Sequence, residues 1–326
     1  MQEINIPSDS KLGSIGERAF TDCGSLQSII IPSSVTSIGE EAFSYCNLLR
    51  SINIPSSVTS IGMWAFHACS SLSTVTFNSL PVVGTEAFWP CDNLNNRILN
   101  LTDSEKPYIG NSLNAYHSFT EAHYHGTLEP GDWGTITLPF VPSIHDGIVF
   151  FAIDNVEAEN GILTLSVAEN IEAGKPYLFR NQTDAASFTL TATPAAPATD
   201  VPVNITVSDQ TVEGSNFTLK GNFQAKELTE NGLYEQQGGE FVHTNSLSID
   251  PFRAYLKDNG SSGVERIVID GGTLVKITNQ DDSTITLSGL KKVEFIKENN
   301  APAVRVTRAD DSTATYTNPK KVDFGK

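Results

Sequence analysis

Cysteine and histidine are the residue types in this sequence that could support nucleophilic or metal chemistry. Cys23, Cys46 and Cys69 recur at steps of 23 residues, and Cys91 follows after 22. A regular step places side chains in a row along stacked units, where free thiols pack as small apolar groups. Parallel side chains in a row disfavour a disulfide, and a row does not converge on a point as zinc ligands must. We therefore expect four free, unreactive thiols.

The segment around His123 is the second candidate for metal chemistry. Glu121, His123 and His125 alternate with Ala122 and Tyr124. On a β-strand the three polar side chains point to one face, and imidazole and carboxylate are ligands of transition metals. A solvated polar face explains the same alternation, and the sequence suggests no fourth ligand. We therefore predict no metal and no cofactor.

Carboxylates offer two further chemical roles. The acidic turns Asp281-Asp282 and Asp310-Asp311 could contact calcium, but they lack the 12-residue calcium loop and are typical of hairpin turns. The sequence has no nucleophile elbow, His-Glu-x-x-His, phosphate loop or dinucleotide fingerprint. We predict that the protein is not an enzyme. A hydrolase that uses a pair of carboxylates in a β-domain is a remote alternative. The fold, and not the spacing along the sequence, sets the distance between two catalytic carboxylates.

The composition narrows the class of partner. The chain has 326 residues, of which 18% are charged, and a net charge of −17. Nucleic acids and anionic lipids need clustered Lys and Arg, so neither is expected as the main partner. No stretch approaches the ~20 apolar residues of a membrane span. No signal peptide follows Met1, which indicates either a cytosolic protein or a mature or shortened chain.

The elements that position these side chains begin with a repeat of 23 residues. In the unit from Leu26 to Cys46, alternating isoleucines predict a strand with one buried face, which Pro32 ends. One unit cannot bury its apolar side alone, so the units must stack into a solenoid. The shared positions include Gly16, Gly39 and Gly62, then Phe20, Phe43 and Phe66, with Gly84 and Phe88 in a looser fourth copy.

The repeat resembles a known family. It reads Leu-x-x-Ile-x-Ile-Pro-x-x-Val-x-x-Ile-Gly-x-x-Ala-Phe-x-x-Cys, which looks like the BspA-type leucine-rich repeat of bacterial surface proteins. About four units cover residues 1–96. The resemblance implies a leucine-rich-repeat solenoid and a role in adhesion. No polar capping unit precedes Ile4, so we expect an array that is truncated at its N-terminus.

The rest of the chain predicts two β-rich parts, which makes the protein multidomain. Over residues 97–271, β-branched segments alternate with turn dipeptides, as in an all-β sandwich or barrel-like domain. Three segments of it resemble a structural β-domain found behind surface modules of gut anaerobes: Trp133–Phe140, Ala173–Leu178 and Pro251–Leu256.

Residues 272–326 contain a second duplication, with a step of 29 residues. Each copy reads strand, acidic turn, strand, Lys-Lys, strand, and it resembles β-tails of secreted proteins of the same bacteria. We predict a duplicated β-hairpin tail in which Phe295 and Phe324 occupy equivalent places in one shared core.

Comparison of the repeats identifies the side chains that face solvent. Beyond the glycine position, the last two units carry large apolar or aromatic residues where the earlier units carry polar ones. Exposed aromatic residues indicate an interface. The alternative is packing on the following β-domain, since the end of a solenoid needs covering. The candidate interaction surface, with two positions on the polar strand face, comprises Met63, Trp64, His67, Trp89, Asn53 and Thr76.

These observations predict a secreted or cell-surface interaction protein. Its solenoid would bind host proteins or glycans, and the β-domains would act as stalk or spacer. The alternative is an accessory carbohydrate-binding protein that stacks sugars on Trp64 and Trp89. The small, polar strand face favours broad, shallow contacts over a deep substrate pocket.

Overall fold

The computed structural model of the chain consists of β-strands, and its described part contains no helix. The described residues are 2–103, 105, 107, 109, 119–143, 147–157, 162–168, 170–193, 203, 205–206, 210–213, 217–260, 266–270, 275–278, 280, 283–287, 290–298, 301–308 and 313–324.

The N-terminal part is a β-solenoid of about five turns over residues 3–125. Longer strands form parallel pairs on one side of the coils, and two-residue strands form a second parallel ladder. The longer strands are β1 (Glu3–Asn5), β3 (Ser28–Ile30), β5 (Ser51–Ile54), β7 (Thr74–Phe77), β9 (Asn96–Thr102) and β10 (Glu121–Thr127). The short strands are β2 (Ser14–Ile15), β4 (Ser37–Ile38), β6 (Ser60–Ile61) and β8 (Val82–Val83).

A column of phenylalanine rings fills the centre of the solenoid, as the repeat predicts. Phe20 and Phe43 stack at 5.1 Å between ring centroids, Phe43 and Phe66 at 5.1 Å, and Phe66 and Phe88 at 5.0 Å. Phe43 and Phe66 are fully buried. The predicted register of the repeat is therefore confirmed.

The glycine of each unit allows neighbouring coils to approach closely. A Cβ atom on Gly39 would lie 2.7 Å from the backbone nitrogen of Glu17, and one on Gly62 would lie 2.6 Å from that of Glu40. Both separations are below any real Cβ contact. The close approach of two backbones is therefore the reason for glycine at this position.

The parallel ladder extends beyond the sequence repeat. β9 pairs with β7, and β10 pairs with β9, although the 23-residue pattern ends before them. β15 (Ser187–Ala192) then pairs antiparallel with β10 and covers the edge of the sheet. Strands on both sides of residue 96 therefore share one sheet. The domain boundaries at residues 96 and 271 stay predictions.

The middle of the chain forms one ten-stranded, mostly antiparallel sheet, in agreement with the predicted all-β domain. The strand order is β11-β14-β12-β13-β21-β19-β18-β20-β17-β16, in which only β13 and β21 pair in parallel. The strands are β11 (Trp133–Thr137), β12 (Ile148–Glu157), β13 (Ile162–Val167), β14 (Pro176–Asn181), β16 (Thr211–Glu213), β17 (Phe217–Gly221), β18 (Lys226–Gln237), β19 (Glu240–Ile249), β20 (Ala254–Asp258) and β21 (Arg266–Asp270).

The sheet curls back on itself, so that β11 lies beside β20. The hydroxyl of Thr135 donates to the carbonyl of Ala254 at 2.9 Å and accepts from its N–H at 3.0 Å. β11 also pairs with β14. The three sequence segments that suggested a β-domain motif therefore meet in space.

The solenoid and the β-domain share a continuous apolar core. The ring of Tyr124, in the last coil, packs edge-on against Phe252 at 5.4 Å. Beside it, the guanidinium of Arg253 pairs with the carboxylate of Asp103 at 2.7 Å. Because this ion pair and the shared core join the two parts, the β-domain is packed directly on the last coil.

The tail consists of two three-stranded sheets, ordered β23-β22-β27 and β24-β25-β26. In each copy the first two strands form a hairpin, and the third strand pairs with the first strand of the other copy. This exchange sets Val275 opposite Phe324, and the equivalent Val304 opposite Phe295. The strands are β22 (Val275–Thr278), β23 (Thr284–Leu287), β24 (Leu290–Glu298), β25 (Ala301–Arg308), β26 (Thr313–Thr317) and β27 (Lys321–Phe324).

Residues of both tail copies pack in one core. Ile277 and Leu287 of the first copy cluster with Val304 and Val306 of the second. The two copies therefore share a core, and the placement of Phe295 and Phe324 in it stays a prediction. The side chains of the two equivalent phenylalanines and the predicted acidic turns lie outside the described residues.

Candidate interaction surface

The predicted surface residues follow the short strands, where each coil turns back. Arg18, Glu41, Trp64 and Glu86 occupy equivalent positions and share a left-handed backbone, with φ between 50° and 56°. The N–H of Glu41 donates to the carbonyl of Met63 in the next coil at 3.0 Å. Such bonds between coils fix the backbone at these turns, so that the side chains project outward in register.

Four aromatic rings meet on this side of the solenoid, and we call them the aromatic strip: Tyr45, Trp64, His67 and Trp89. The His67 ring lies at the centre, 5.6 Å from Tyr45, 6.2 Å from Trp64 and 6.0 Å from Trp89. Sequence comparison missed Tyr45, which shares its repeat position with Asp22 and Ala68. These three residues have positive φ, which marks a second outward-facing turn position.

The strip faces solvent. Trp89 is 58% exposed and Tyr45 is 47% exposed, whereas Met63, Trp64 and His67 are partly buried. With more than half of its surface exposed, Trp89 is not covered by the β-domain. This burial pattern disfavours packing on the next domain, the alternative considered for these residues.

One buried nitrogen in the strip is unsatisfied. The Nδ1 atom of His67 is buried and makes no hydrogen bond within the described part of the chain. The equivalent Thr21, two coils earlier, bonds instead to the carbonyl of Glu41 at 2.7 Å. An unpaired buried polar atom costs about 1–3 kcal/mol. Folding stability therefore does not explain histidine at this position.

Carboxylates accompany the strip. The indole N–H of Trp64 donates to the carboxylate of Glu86 at 2.7 Å. Glu41 forms a two-point ion pair with Arg18, with bonds of 2.8 and 3.0 Å, and this hydrogen bonding lowers the pKa of the Glu41 carboxyl. Glu41 and His67 also interact electrostatically, which places this carboxylate beside the strip.

The two remaining predicted residues, Asn53 and Thr76, lie on the parallel sheet and are direct partners in the pairing of β5 with β7. Asn53 begins a row of side-chain hydrogen bonds that crosses the sheet. Its carbonyl oxygen accepts from Asn78 at 3.0 Å, and Asn78 accepts from Asn100 at 3.2 Å. The row continues to His125 at 2.8 Å. The predicted surface therefore divides into an aromatic part and a polar part on different sides of the coil.

The histidines of β10 take part in this polar surface. Glu121, His123 and His125 share one face, as predicted. Both nitrogens of His125 have partners, Thr189 at 2.9 Å and Asn100 at 2.8 Å, while His123 lies 3.2 Å from Glu121. Among the described residues no group of three or more ligands could hold a metal ion. Burial and the neighbouring His123 lower the pKa of His125.

Comparison with known proteins identifies the repeat. The family model for the BspA type Leucine rich repeat region (6 copies) matches residues 1–117. Residues 1–117 are BspA-type leucine-rich repeats. The match extends past residue 96, in agreement with the ladder that continues into β9.

Structural comparison finds a leucine-rich repeat protein from Bacteroides ovatus. It is 31% identical, the match covers 31% of this chain and 33% of that chain, and the TM-score is 0.23. The matched region therefore spans about one third of that protein's length. None of the curated proteins compared with the chain matches it.

The cysteines of the BspA-type repeats form a hydrogen-bonded row. All four thiols are free, as predicted. The thiol of Cys46 donates to the carbonyl of Phe20 at 3.3 Å, and that of Cys69 donates to the carbonyl of Phe43 at 3.1 Å. Burial raises the pKa of Cys46 to about 12 and raises the pKa of Cys69 further. Because the thiolate is the nucleophile, these thiols are inert in the folded protein.

Outside the BspA-type repeats, the β-domain contains a cleft of about 280 Å³. Glu235, Asp250 and Arg253 line it together with Leu247 and Tyr255. The Arg253 guanidinium is already bound to the last coil, and the Glu235 carboxylate accepts from a neighbouring glutamine side chain at 2.9 Å. Both charged groups thus have structural partners. A hydrolase acting here stays a hypothesis.

Proposed function

We propose that the protein is a secreted or cell-surface interaction protein, and that its aromatic strip binds a partner protein. The observation that carries the proposal is the exposure of Trp89, which stands 58% accessible above the His67 ring. Trp and Tyr dominate the energy of protein interfaces, and an exposed group of them marks a contact site. BspA-type repeats are typically surface binding modules, which agrees with this role.

Ring geometry favours a protein over a glycan. The rings of Tyr45 and Trp64 are tilted by 76° and 59° from the His67 ring, and Trp89 is tilted by 44°. A linear glycan stacks best on ring faces that share one plane, whereas protruding side chains fit between tilted rings. A single sugar on the free face of Trp89 is the second candidate, because this ring is the most exposed of the strip.

The remaining properties follow from the binding role. We propose no catalytic function, and the matched repeat family is generally non-catalytic. A location outside the cell is consistent with BspA-type proteins, which are often surface proteins. The described part of the chain includes no helix that could cross a membrane. In this proposal the β-domain is a spacer that holds the last coil.

A variant of Trp89 tests the proposal on the full chain. Wild type, Trp89→Ala and Ile30→Ala are compared for binding to an array of host extracellular proteins and to a glycan array. Ile30 is 65% exposed on the strand side, so its variant is a matched loss of exposed apolar surface. We expect Trp89→Ala alone to lose protein binding, with circular dichroism unchanged in both variants. Equal binding by all three proteins would overturn the proposal.

A further inference from the structure

At the turn positions beside the aromatic strip, carboxylates outnumber cations among the described residues. Glu17, Glu40 and Met63 occupy the same repeat position in three consecutive coils. The backbone of each lies against the glycine of the next coil. Glu86 touches Trp64. The one arginine at these turn positions, Arg18, forms an ion pair with Glu41 and also attracts Glu17 and Glu40, so one cation faces three carboxylates.

Long-range charge adds to this local pattern. The whole chain has a net charge of −17, and residues 1–96 alone have a net charge of −5. Rim charges of one sign raise the association rate of partners with the opposite sign and repel partners with the same sign. An acidic glycan or an acidic protein surface is therefore disfavoured at the strip.

The rings themselves favour cations. A guanidinium or ammonium is attracted to the face of Trp and Tyr, and the apolar stem of Arg or Lys packs along the ring. Trp89 and Tyr45 both expose ring surface, and His67 holds them apart. The carboxylate of Glu86 contacts Trp64 of the strip, and Glu40 precedes Glu41 at the turn beside it.

We infer that the aromatic strip binds an Arg- or Lys-rich segment of a partner protein, with cations on Trp89 and Tyr45 and neighbouring charges paired to the carboxylates. This inference rests on the proposed function and specifies its partner. We call Glu40 and Glu86 the rim of the strip. The strip and the rim act together, so either one alone gives weak binding, because each exposed cation–ring or ion-pair contact contributes little.

Labelled hexa-arginine peptide provides the test, with hexa-citrulline as its uncharged isostere. Binding to the full chain is measured by fluorescence anisotropy at low and at physiological salt. We expect Trp89→Ala to weaken hexa-arginine binding about two- to fivefold. The double variant Glu40→Gln/Glu86→Gln should weaken it roughly two- to tenfold. Glutamine keeps the oxygen that Trp64 needs, so only the charge changes.

The control is a second pair of substitutions with the same change in charge. Glu3 and Glu129 are exposed and lie outside the turn positions that carry the strip. The variant Glu3→Gln/Glu129→Gln should retain wild-type affinity. The inference is overturned if this control loses as much affinity as the rim variant, or if hexa-citrulline binds as well as hexa-arginine. Host-protein binding that depends on Trp89 but not on the rim charges would leave the proposed function intact and refute the inference alone.

Discussion

Replacement of Phe66 by alanine tests the central column of the solenoid. Phe66 is fully buried and stacks on Phe43 at 5.1 Å and on Phe88 at 5.0 Å. Truncation of a buried Phe to Ala lowers the free energy of unfolding by about 3–5 kcal/mol. Each lost pair of stacked rings contributes ~0.5–1.5 kcal/mol to this loss. Stability in a solenoid is set by each coil and its neighbours, so the loss should be concentrated near this coil.

Amide hydrogen exchange of the full chain measures this local effect. A loss of about 3–5 kcal/mol corresponds to roughly a hundred- to a few thousand-fold faster exchange, which we expect for the amides of β5 and β7. The variant Ile30→Ala, which removes exposed apolar surface, should exchange like wild type in these strands. If Phe66→Ala and Ile30→Ala give the same protection, the column does not stabilise the solenoid and the argument from stacking is wrong.

Three further predictions concern other parts of the chain. Cys46 and Cys69 should resist thiol labelling at pH 8 until the protein is denatured, because burial raises the pKa of each thiol; rapid labelling of the native protein would contradict the buried row. His125 should titrate below 6.5 by NMR, since burial lowers its pKa; its contribution to stability is then complete above pH 6.5 and decreases as the pH falls through 6.5 towards the folded pKa. Phe295→Ala and Phe324→Ala should each expose the same tail unit to protease, because the exchanged third strands place them in equivalent pairs; protection of one copy while the other is cleaved would refute a shared unit.

Much of the solenoid could be predicted from the sequence because one constraint repeats along the chain. Every coil must bury the same face, so the positions of Leu, Ile, Phe and Cys recur and can be superposed. The order of the tail strands could be predicted for the same reason. The partner of each third strand could not, since hairpin pairing within a copy and exchange between copies need the same alternation of side chains.

The sequence pattern also did not predict that the solenoid continues past residue 96. The ladder from β7 through β9 to β10 uses backbone hydrogen bonds, which any extended segment provides. In the last coils Phe119 packs edge-on against Phe77 at 5.6 Å, and Tyr124 is fully buried. These strands bury side chains that differ from those of the repeat, so the repeat ends in the sequence while the ladder continues.

The aromatic strip was only partly predictable, because the fold does not dictate its residue types. Arg18, Glu41, Trp64 and Glu86 have the same left-handed backbone, although they differ in charge and size. A residue such as Arg, Glu or Trp in this conformation costs about 1–3 kcal/mol. The backbone conformation therefore gives no preference for tryptophan at position 64. The residue type at such a turn can therefore be selected by a binding partner instead of by the fold. For this reason we propose that the aromatic side chains of the last coils serve recognition.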